Sequence, residues 1–267
     1  MQINGKRVLL TGATGGLGRA IAGALAGGGA ELVLSSRKQD ELEQLALELP
    51  GERHSVAVSD LAEPGAAEKL AAEAGPIDIL VANAGLPGSG KLEDFSTEEI
   101  ARAVRVNLEA PMTLARVLMP AMVSAGQGHM VFVSSLAGKA ASPRASIYNA
   151  TKFGLRGFAL ALREDLAGDG TGVGVSVVMP GFIRGAGMFA ESGASPPPGL
   201  GTGTPEQVGT GVVDAIESNR GEVAVAPARQ RALVHFAQVF PGVAGRLQRG
   251  VGTKVAEDLA RGQVGKR

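Results

Sequence analysis

TGATGGLG, residues 11–18 of a 267-residue chain, is the stretch that decides the fold. It follows an apolar run that ends at Thr11, and the segment after it, Leu17–Ala26, has the apolar spacing of a helix. Glycines here let the backbone turn sharply from a strand into a helix and approach a phosphate closely. The phosphate charge would then lie at the positive end of the helix. The stretch predicts a nucleotide-binding strand–turn–helix unit; the alternative is a tight turn without a ligand.

The same alternation of strand and helix continues along the chain. Strand-like apolar runs are found at Lys6–Thr11, Ala30–Ser36, Ser55–Val58, Ile77–Ala82, His129–Ser134, Gly174–Met179 and Glu222–Ala226. Helix-like segments between them include Leu17–Ala26, Gln39–Leu49, Ala66–Ala74, Thr97–Ser124 and Ala145–Ala167. Most of the strands are apolar at consecutive positions, as in strands buried on both faces. This pattern predicts an α/β fold: a Rossmann-type, doubly wound parallel sheet of about seven strands with helices on both faces.

The chain divides into one domain, residues 1–227, and a C-terminal helical extension, residues 228–267. Within the domain, residues 182–203 are rich in Gly, Pro and Ser and have the composition of a mobile loop over a substrate site. In the extension, an apolar stripe is flanked by arginines and comprises Leu233, Phe236 and Phe240. We expect this helix to pack on the domain or over the active site, to form a subunit interface, or to lie on a membrane surface.

Composition excludes several classes of function. Lys and Arg together number 26, as do Asp and Glu, so no basic excess indicates a nucleic-acid partner. The chain has no cysteine, which excludes thiol catalysis and zinc–thiolate sites, and its three histidines lack the spacing of metal ligands, so no metal is expected. The sequence shows neither a signal-peptide core nor an apolar run of membrane-spanning length, which makes a cytoplasmic protein the expectation.

Tyr148 and Lys152 form the pair that indicates catalysis. Residues four apart lie on the same face of a helix, so the two side chains would be neighbours. An ammonium beside a phenol favours the phenolate and lowers the phenol pKa, which permits proton transfer at physiological pH. Tyr148 is the single tyrosine of the chain. Taken alone, the pair also fits a surface tyrosine stacked against a lysine stem; the glycine-rich turn favours the catalytic interpretation.

The TGxxxGxG and YxxxK motifs together resemble those of the short-chain dehydrogenase/reductase family, in the branch whose chains have about this length. The resemblance implies that Tyr148 is the general acid and base. Lys152 would lower the tyrosine pKa and bind the nicotinamide ribose. Ser135, favoured over its neighbour Ser134, would bind the substrate carbonyl oxygen. Asn107 would hold a water molecule in a proton relay to the lysine.

The resemblance also implies a nicotinamide cofactor. The residues expected to hold it are Gly12, Thr14, Gly15, Gly16, Leu17, Gly18, Ser36, Arg37, Asp60, Leu61, Asn83, Ala84, Gly85, Tyr148, Lys152, Pro180, Gly181 and Ile183. NAD-specific sites carry an acid where this chain has Ser36, and the next residue, Arg37, is suited to bind a 2′-phosphate. NADP(H) is therefore favoured over NAD(H). One departure from the family pattern is Gly185, which stands where a threonine usually bonds the carboxamide.

The resulting prediction is an NADP(H)-dependent oxidoreductase that transfers hydride between nicotinamide and the carbonyl or secondary alcohol of an apolar small molecule. The side chains expected to contact that substrate are Ser135, Tyr148, Phe182 and Met188. The alternative is a non-catalytic NADP(H)-binding sensor or scaffold with the same fold. Thr97–Ser124 and Ala145–Ala167 correspond to the dimer-forming helices of the family, which implies a homodimer or a homotetramer.

Overall fold

The computed structural model describes residues 1–197 and 199–263. Pro198, in the predicted loop, and residues 264–267, in the predicted extension, lie outside the described residues. The strands are β1 (Arg7–Thr11), β2 (Glu31–Ser36), β3 (Ser55–Val58), β4 (Ile79–Ala82), β5 (Gly128–Val133), β6 (Val173–Pro180) and β7 (Glu222–Val225). They form one parallel sheet in the order β3-β2-β1-β4-β5-β6-β7. Because β1 lies between β2 and β4, the sheet is doubly wound, and the predicted fold class is confirmed.

Helices cover both faces of this sheet. They are α1 (Gly16–Gly27), α2 (Gln39–Glu48), α3 (Ala66–Ala74), α4 (Thr97–Val104), α5 (Ala110–Ser124), α6 (Ser146–Gly168), α7 (Gly187–Glu191), α8 (Pro205–Glu217), α9 (Ala228–Val239) and α10 (Pro241–Gln263). One hydrophobic core packs α3, α5 and α6 against the sheet, and a second packs α1, α2 and α8 against the opposite face. The sheet is therefore the central layer of three.

Strand β5 shows why the apolar runs predicted the sheet. Met130 and Phe132 enter the first core, whereas Val131 and Val133 enter the second, because side chains alternate between the two faces of a strand. Phe132 also meets the ring of Phe158 edge to face, with 5.5 Å between the ring centroids. A strand that is buried on both faces has apolar residues at consecutive positions, which is the pattern observed in the sequence.

One predicted helix is interrupted. The sequence predicts a continuous helix over Thr97–Ser124, but α4 ends at Val104 and a π-helical turn, Arg105–Glu109, separates it from α5. The prediction was wrong here because a single π-helical turn barely alters the local apolar spacing. Such turns occur frequently at functional sites. This one contains Asn107.

Two helices follow the last strand. In α9 and α10, Gln230, Ala237 and Ala244 are buried, whereas Phe236 and Phe240 are exposed. One side of the pair therefore faces the domain and the other faces solvent. Across the part of the chain that the structure describes, no helix combines the length and the hydropathy needed to span a membrane.

Candidate active site

A cavity of about 330 Å³ lies where the carboxyl ends of β4, β5 and β6 meet. In doubly wound sheets, ligands bind at this end, beside the point where the strand order reverses. Three of the residues predicted to be catalytic line the cavity: Ser135, Tyr148 and Lys152. Phe182 and Met188, predicted to contact substrate, line it as well. The fold thus brings together residues that are far apart in sequence.

The glycine-rich turn packs tightly on the end of β4. Gly12 has a φ of +66°, and a Cβ there would lie 2.8 Å from the Ala84 Cα. Thr11 Oγ1 accepts hydrogen bonds from the backbone N–H groups of Asn83 and Ala84, both at 3.1 Å. The Asn83 side-chain amide donates to the carbonyl oxygens of Thr11 at 3.0 Å and Gly12 at 3.2 Å. Asn83, predicted to bind cofactor, thus holds the shape of the turn.

The start of α1 fits a pyrophosphate. The helix begins at Gly16, no side chain caps its N-terminus, and its first turn contains no acidic residue. Backbone N–H groups at such an end lack helical partners and carry the positive end of the helix dipole. A Cβ on Gly18 would collide with the carbonyl oxygen of Gly12. The turn therefore requires glycine, and its free N–H groups suit the phosphates of a dinucleotide.

The end of β2 carries the residues predicted to select the cofactor. Arg37 is half exposed, and its Nη1 lies 3.8 Å from Asp60 Oδ2. The Ser36 hydroxyl accepts from the Lys38 N–H at 3.2 Å, and Asp60 Oδ1 accepts from the Ala62 N–H at 3.0 Å. Asp60 thus closes a local turn, as a capping residue does. The end of β2 therefore carries the Arg37 guanidinium next to the uncharged side chain of Ser36.

Tyr148 and Lys152 lie one turn apart on α6, with Lys152 Nζ 5.7 Å from the centroid of the tyrosine ring. Tyr148 forms a hydrogen bond with Ser135. Ser135 Oγ also accepts from the Ala137 N–H at 3.1 Å. The neighbouring Ser134 hydroxyl is buried and donates to the Lys152 carbonyl oxygen at 3.0 Å. Ser134 therefore supports α6, while Ser135 contacts the phenol.

Burial dominates the electrostatics of this pair. It lowers the pKa of Lys152 to about 8, and the lysine Nζ donates to the Val133 carbonyl oxygen at 3.0 Å. Burial also raises the pKa of Tyr148, which the hydrogen bond with Ser135 lowers by less. The sequence predicts the opposite direction for Tyr148, so that expectation is corrected: desolvation of the phenolate outweighs the hydrogen bond with Ser135. The phenol is therefore neutral, which is the form that can donate a proton.

Both polar atoms of the Asn107 side chain form hydrogen bonds within the protein. Its Oδ1 accepts from the Leu86 N–H at 2.7 Å, while its Nδ2 donates to the Leu86 carbonyl oxygen at 2.9 Å and to Thr151 Oγ1 at 3.3 Å. The side chain is 1 % exposed. Through these bonds the π-helical turn connects the segment after β4 to α6, next to Lys152. This geometry makes Asn107 a positioning residue for the two sides of the cavity.

Replacing Asn107 with alanine should lower the free energy of unfolding by roughly 2–4 kcal/mol, because two partly buried backbone groups of Leu86 lose their partner. Urea unfolding monitored by circular dichroism measures this change. Glu109→Ala, in the same turn, is the matched control and should cost much less, since its side chain forms none of these bonds. Equal losses in the two variants would contradict the positioning role.

The segment after β6 covers the cavity. The rings of Phe182 and Phe189 pack against each other in a tilted arrangement, with 4.7 Å between centroids. A Cβ built on Gly85 would lie 3.4 Å from Met188 Cε and 3.7 Å from Lys152 Nζ, so both side chains approach Gly85. Gly185 has a φ of +79°, a conformation that a threonine rarely adopts. The glycine at this position therefore follows from the backbone path of the segment.

Gln230 is a site residue that the sequence did not single out. It lies on α9, is 3 % exposed and lines the cavity. Its Oε1 accepts from the Phe182 N–H at 3.2 Å, and its Nε2 donates to the Gly201 carbonyl oxygen at 2.8 Å. The spacing of Gln230 in the sequence could have indicated this position. It precedes Leu233 and Val234 by one helical turn, and all three residues line the cavity.

Most other predicted cofactor residues surround the turn or the cavity. Leu17, Gly85, Pro180, Gly181 and Ile183 line the cavity, and Leu61 is buried in the core beyond β3. Within residues 1–197 and 199–263, no group of three or more His, Cys, Asp or Glu side chains is arranged to hold a metal ion.

Comparison with known proteins gives concordant matches. Residues 6–196 match the family model described as short chain dehydrogenase. The chain is 39% identical to ketoacyl reductase HetN of Nostoc over 229 residues, which is 84% of this chain and 79% of that protein. It is 36% identical to dehydrogenase/reductase SDR family member 7B of Mus musculus over 66% of this chain and 57% of that protein.

Solved structures show the same similarity. A short-chain dehydrogenase from Sphingobium yanoikuyae in complex with NADPH superimposes with a TM-score of 0.75 at 27% identity, covering 89% of this chain and 95% of that one. Another short chain dehydrogenase/reductase family protein superimposes with a TM-score of 0.77 at 27% identity, covering 84% of this chain and 97% of that one. The similarity thus covers most of the chain.

Proposed function

Because the chain belongs to the short-chain dehydrogenase/reductase family, whose members are NAD(P)H-dependent oxidoreductases, we propose that it reduces the carbonyl group of an apolar small molecule with NADPH. The observation that carries this proposal is the cavity in which Ser135 contacts a neutral Tyr148 beside the buried ammonium of Lys152. During carbonyl reduction, a hydroxyl can hold the carbonyl oxygen, a proton donor can protonate it, and a cation can stabilise the negative charge that results.

The mechanism follows from the state of each side chain. Bound nicotinamide supplies the hydride that the reduction requires. The Ser135 hydroxyl donates to the carbonyl oxygen and holds it beside the phenol. Tyr148, kept neutral by burial, transfers its proton to that oxygen. The Lys152 ammonium stabilises the negative charge that the phenol then carries. The phenol recovers a proton from solvent before the next turnover.

The cofactor would be bound along the ends of the strands. The free N–H groups at the start of α1 would bind the pyrophosphate. Arg37 would bind the 2′-phosphate through its planar guanidinium, and Ser36, which carries no charge, would leave room for it. These two positions support NADPH over NADH. Pro180, Gly181 and Ile183, at the end of β6, would contact the nicotinamide.

The substrate would be apolar. The side of the cavity away from the glycine-rich turn is formed by Phe182, Met188 and Phe189 together with Leu233 and Val234 of α9. The relative from Nostoc is named a ketoacyl reductase, so a ketoacyl thioester belongs among the first candidates. The subunits would associate through α5 and α6, which expose apolar side chains that include Val117 and Phe153.

The test is a screen of ketones, aldehydes and ketoacyl thioesters with NADPH and with NADH, followed through the absorbance of the reduced nicotinamide. We expect turnover of at least one apolar carbonyl compound with NADPH, and weaker activity with NADH. Tight NADPH binding without turnover of any carbonyl or alcohol would instead support a cofactor-binding sensor.

We expect Arg37→Ala to raise the KM for NADPH roughly tenfold, because a charge-assisted hydrogen bond to the 2′-phosphate is lost. The KM for NADH should stay within about twofold, since NADH lacks that phosphate. Steady-state kinetics with both cofactors measures the two values. The control is Arg53→Ala. Arg53 lies just before β3, and its guanidinium pairs with Glu31. An equal rise for both cofactors would contradict the assignment.

The pH dependence of the reduction rate should follow the protonation state of Lys152. Its pKa of about 8 means that the ammonium is present below pH 8 and is lost above it. Reduction should therefore weaken as the pH rises through about 8. The kcat/KM for NADPH, which reports groups of the free enzyme, measures this. Lys152→Arg keeps its charge at high pH and should show no decline there. A wild-type decline that begins only above about pH 10 would exclude Lys152 as the titrating group.

A further inference from the structure

The solvent side of α9 and α10 carries a group of exposed apolar side chains. We call it the tail face and define it by six exposed side chains: Leu233, Phe236, Val239, Phe240, Val243 and Leu247. Val239 is 57% exposed, Phe240 52% and Leu247 64%. The rings of Phe236 and Phe240 pack against each other in a tilted arrangement, with 5.3 Å between centroids. Large apolar side chains gathered in this way mark an interaction site more often than scattered ones do.

Contacts with the domain hold the two helices of the tail face in place. Ala237 and Ala244 are buried on the inner side of the two helices, and Gln230 anchors α9 to the segment after β6. At the other end, Arg144 Nη2 lies 3.5 Å from Glu257 Oε1 of α10. A Cβ on Gly262 would collide with Ser192, so the end of α10 packs on the residue after α7. Both ends of the helix pair are thus fixed to the domain.

The charged residues in this part of the sequence are all basic. The sequence contains no Asp or Glu from Val223 to Ala256, although the chain as a whole has 26 acidic and 26 basic residues. The exposed basic side chains here are Arg229, Arg231, Arg246 and Arg249. Neither Arg231 nor Arg246 forms an ion pair with a described residue. The surface therefore combines aromatic and aliphatic groups with the positive charges of Arg231 and Arg246.

This combination favours an anionic lipid surface as the occupant. Amphipathic helices with apolar and aromatic residues on one face and arginines around it lie in the membrane interface. Each cation near an anionic leaflet adds to the attraction. A second copy of the chain fits less well, because a twofold interface would bring the same arginines together without an acid between them. We propose that the tail face docks this protein on the surface of an anionic membrane.

The cavity opens beside this face. Leu233 is 43% exposed on the tail face and also lines the cavity, as do Val234, Gln248 and Leu259 of the same two helices. A docked protein would therefore present its cavity to the lipid. Resting on the proposed reductase function, this assigns the substrate to carbonyl compounds with a long apolar chain that dissolve in the membrane. The docking itself does not depend on catalysis.

The experiment measures binding of the full chain to vesicles by flotation, without substrate. Vesicles of phosphatidylcholine alone are compared with vesicles that also contain phosphatidylglycerol. We expect binding to the anionic vesicles that weakens as salt is raised. The variant Phe236→Ser with Phe240→Ser should bind roughly tenfold more weakly, because less apolar area enters the interface. The control replaces two exposed leucines elsewhere, Leu47 and Leu92, with serine and should bind like the wild type.

Three outcomes would overturn the proposal. They are no binding to anionic vesicles at low salt, undiminished binding by the double Phe variant, or loss of binding by the Leu47 and Leu92 control. Light scattering adds a further one: a wild-type oligomer that dissociates in the double Phe variant assigns the tail face to a subunit contact. The NADPH dissociation constant, measured for each variant, shows that the domain remains folded. Binding with no activity on any carbonyl would reject the reductase function while retaining the docking.

Discussion

Tyr148→Phe should reduce carbonyl compounds roughly a thousandfold more slowly than the wild type, the usual size of a general acid contribution. The variant keeps the ring and removes only the hydroxyl that contacts Ser135. Without it, the carbonyl oxygen must take its proton from water, and a phenylalanine cannot supply one. Single-turnover reduction at saturating NADPH measures the chemical step and separates it from binding.

Two control measurements show whether the loss of activity comes instead from weaker cofactor binding or from unfolding. The NADPH dissociation constant should change by less than about threefold, because the phenylalanine ring preserves the packing around Lys152. The urea unfolding midpoint should remain close to that of the wild type. A Tyr148→Phe variant with activity within about tenfold of the wild type would exclude the tyrosine as the general acid.

The fold was largely predictable because its signals are local. Consecutive apolar residues in β5 and β6 follow directly from burial on both faces of the sheet. The turn at residues 11–18 needs glycine at Gly12 and Gly18 for steric reasons that the sequence alone suggests. The π-helical turn at Arg105–Glu109 was missed, because nothing in a local pattern distinguishes it from an α-helix.

The sequence predicted where Tyr148 and Lys152 lie relative to each other, but not how burial changes their pKa values. The spacing of Tyr148 and Lys152 placed them on one face of a helix, as the structure has them. The direction of the tyrosine pKa depends on how deeply the phenol is buried, and burial is set by residues distant in sequence. Gln230 was missed for the same reason: its partners, Phe182 and Gly201, belong to another segment.

His129 illustrates what the sequence leaves undecided. It lies in β5, is 2 % exposed, and its Nε2 is 2.8 Å from Ser176 Oγ. Burial, with smaller effects of the N-terminal ammonium and Arg163, lowers its pKa from 6.5 to about 3. Since Ser176 Oγ donates to the Ala215 carbonyl oxygen, it accepts from the imidazole, which assigns the proton to Nε2. The ring is therefore a neutral member of the core.

A strong loss of stability in acid follows from this burial. Between the unfolded pKa of 6.5 and the folded pKa of about 3, the unfolded chain binds a proton that the folded protein refuses. The neutral ring therefore makes its full contribution to the free energy of unfolding above pH 6.5, and this contribution falls as the pH falls. Linkage puts the loss at roughly 3 kcal/mol between pH 7 and pH 4 for this residue alone.

His129→Gln isolates this contribution, because glutamine keeps a donor for Ser176 and does not titrate. The variant should be less stable than the wild type at pH 7, and that deficit should shrink by roughly 3 kcal/mol at pH 4. Urea unfolding at both pH values gives the difference. The control is His235→Gln on α9, which replaces an exposed ring and leaves the core unchanged. A deficit of His129→Gln that is the same at pH 7 and pH 4 would show that the buried ring accepts a proton as readily as the unfolded chain does.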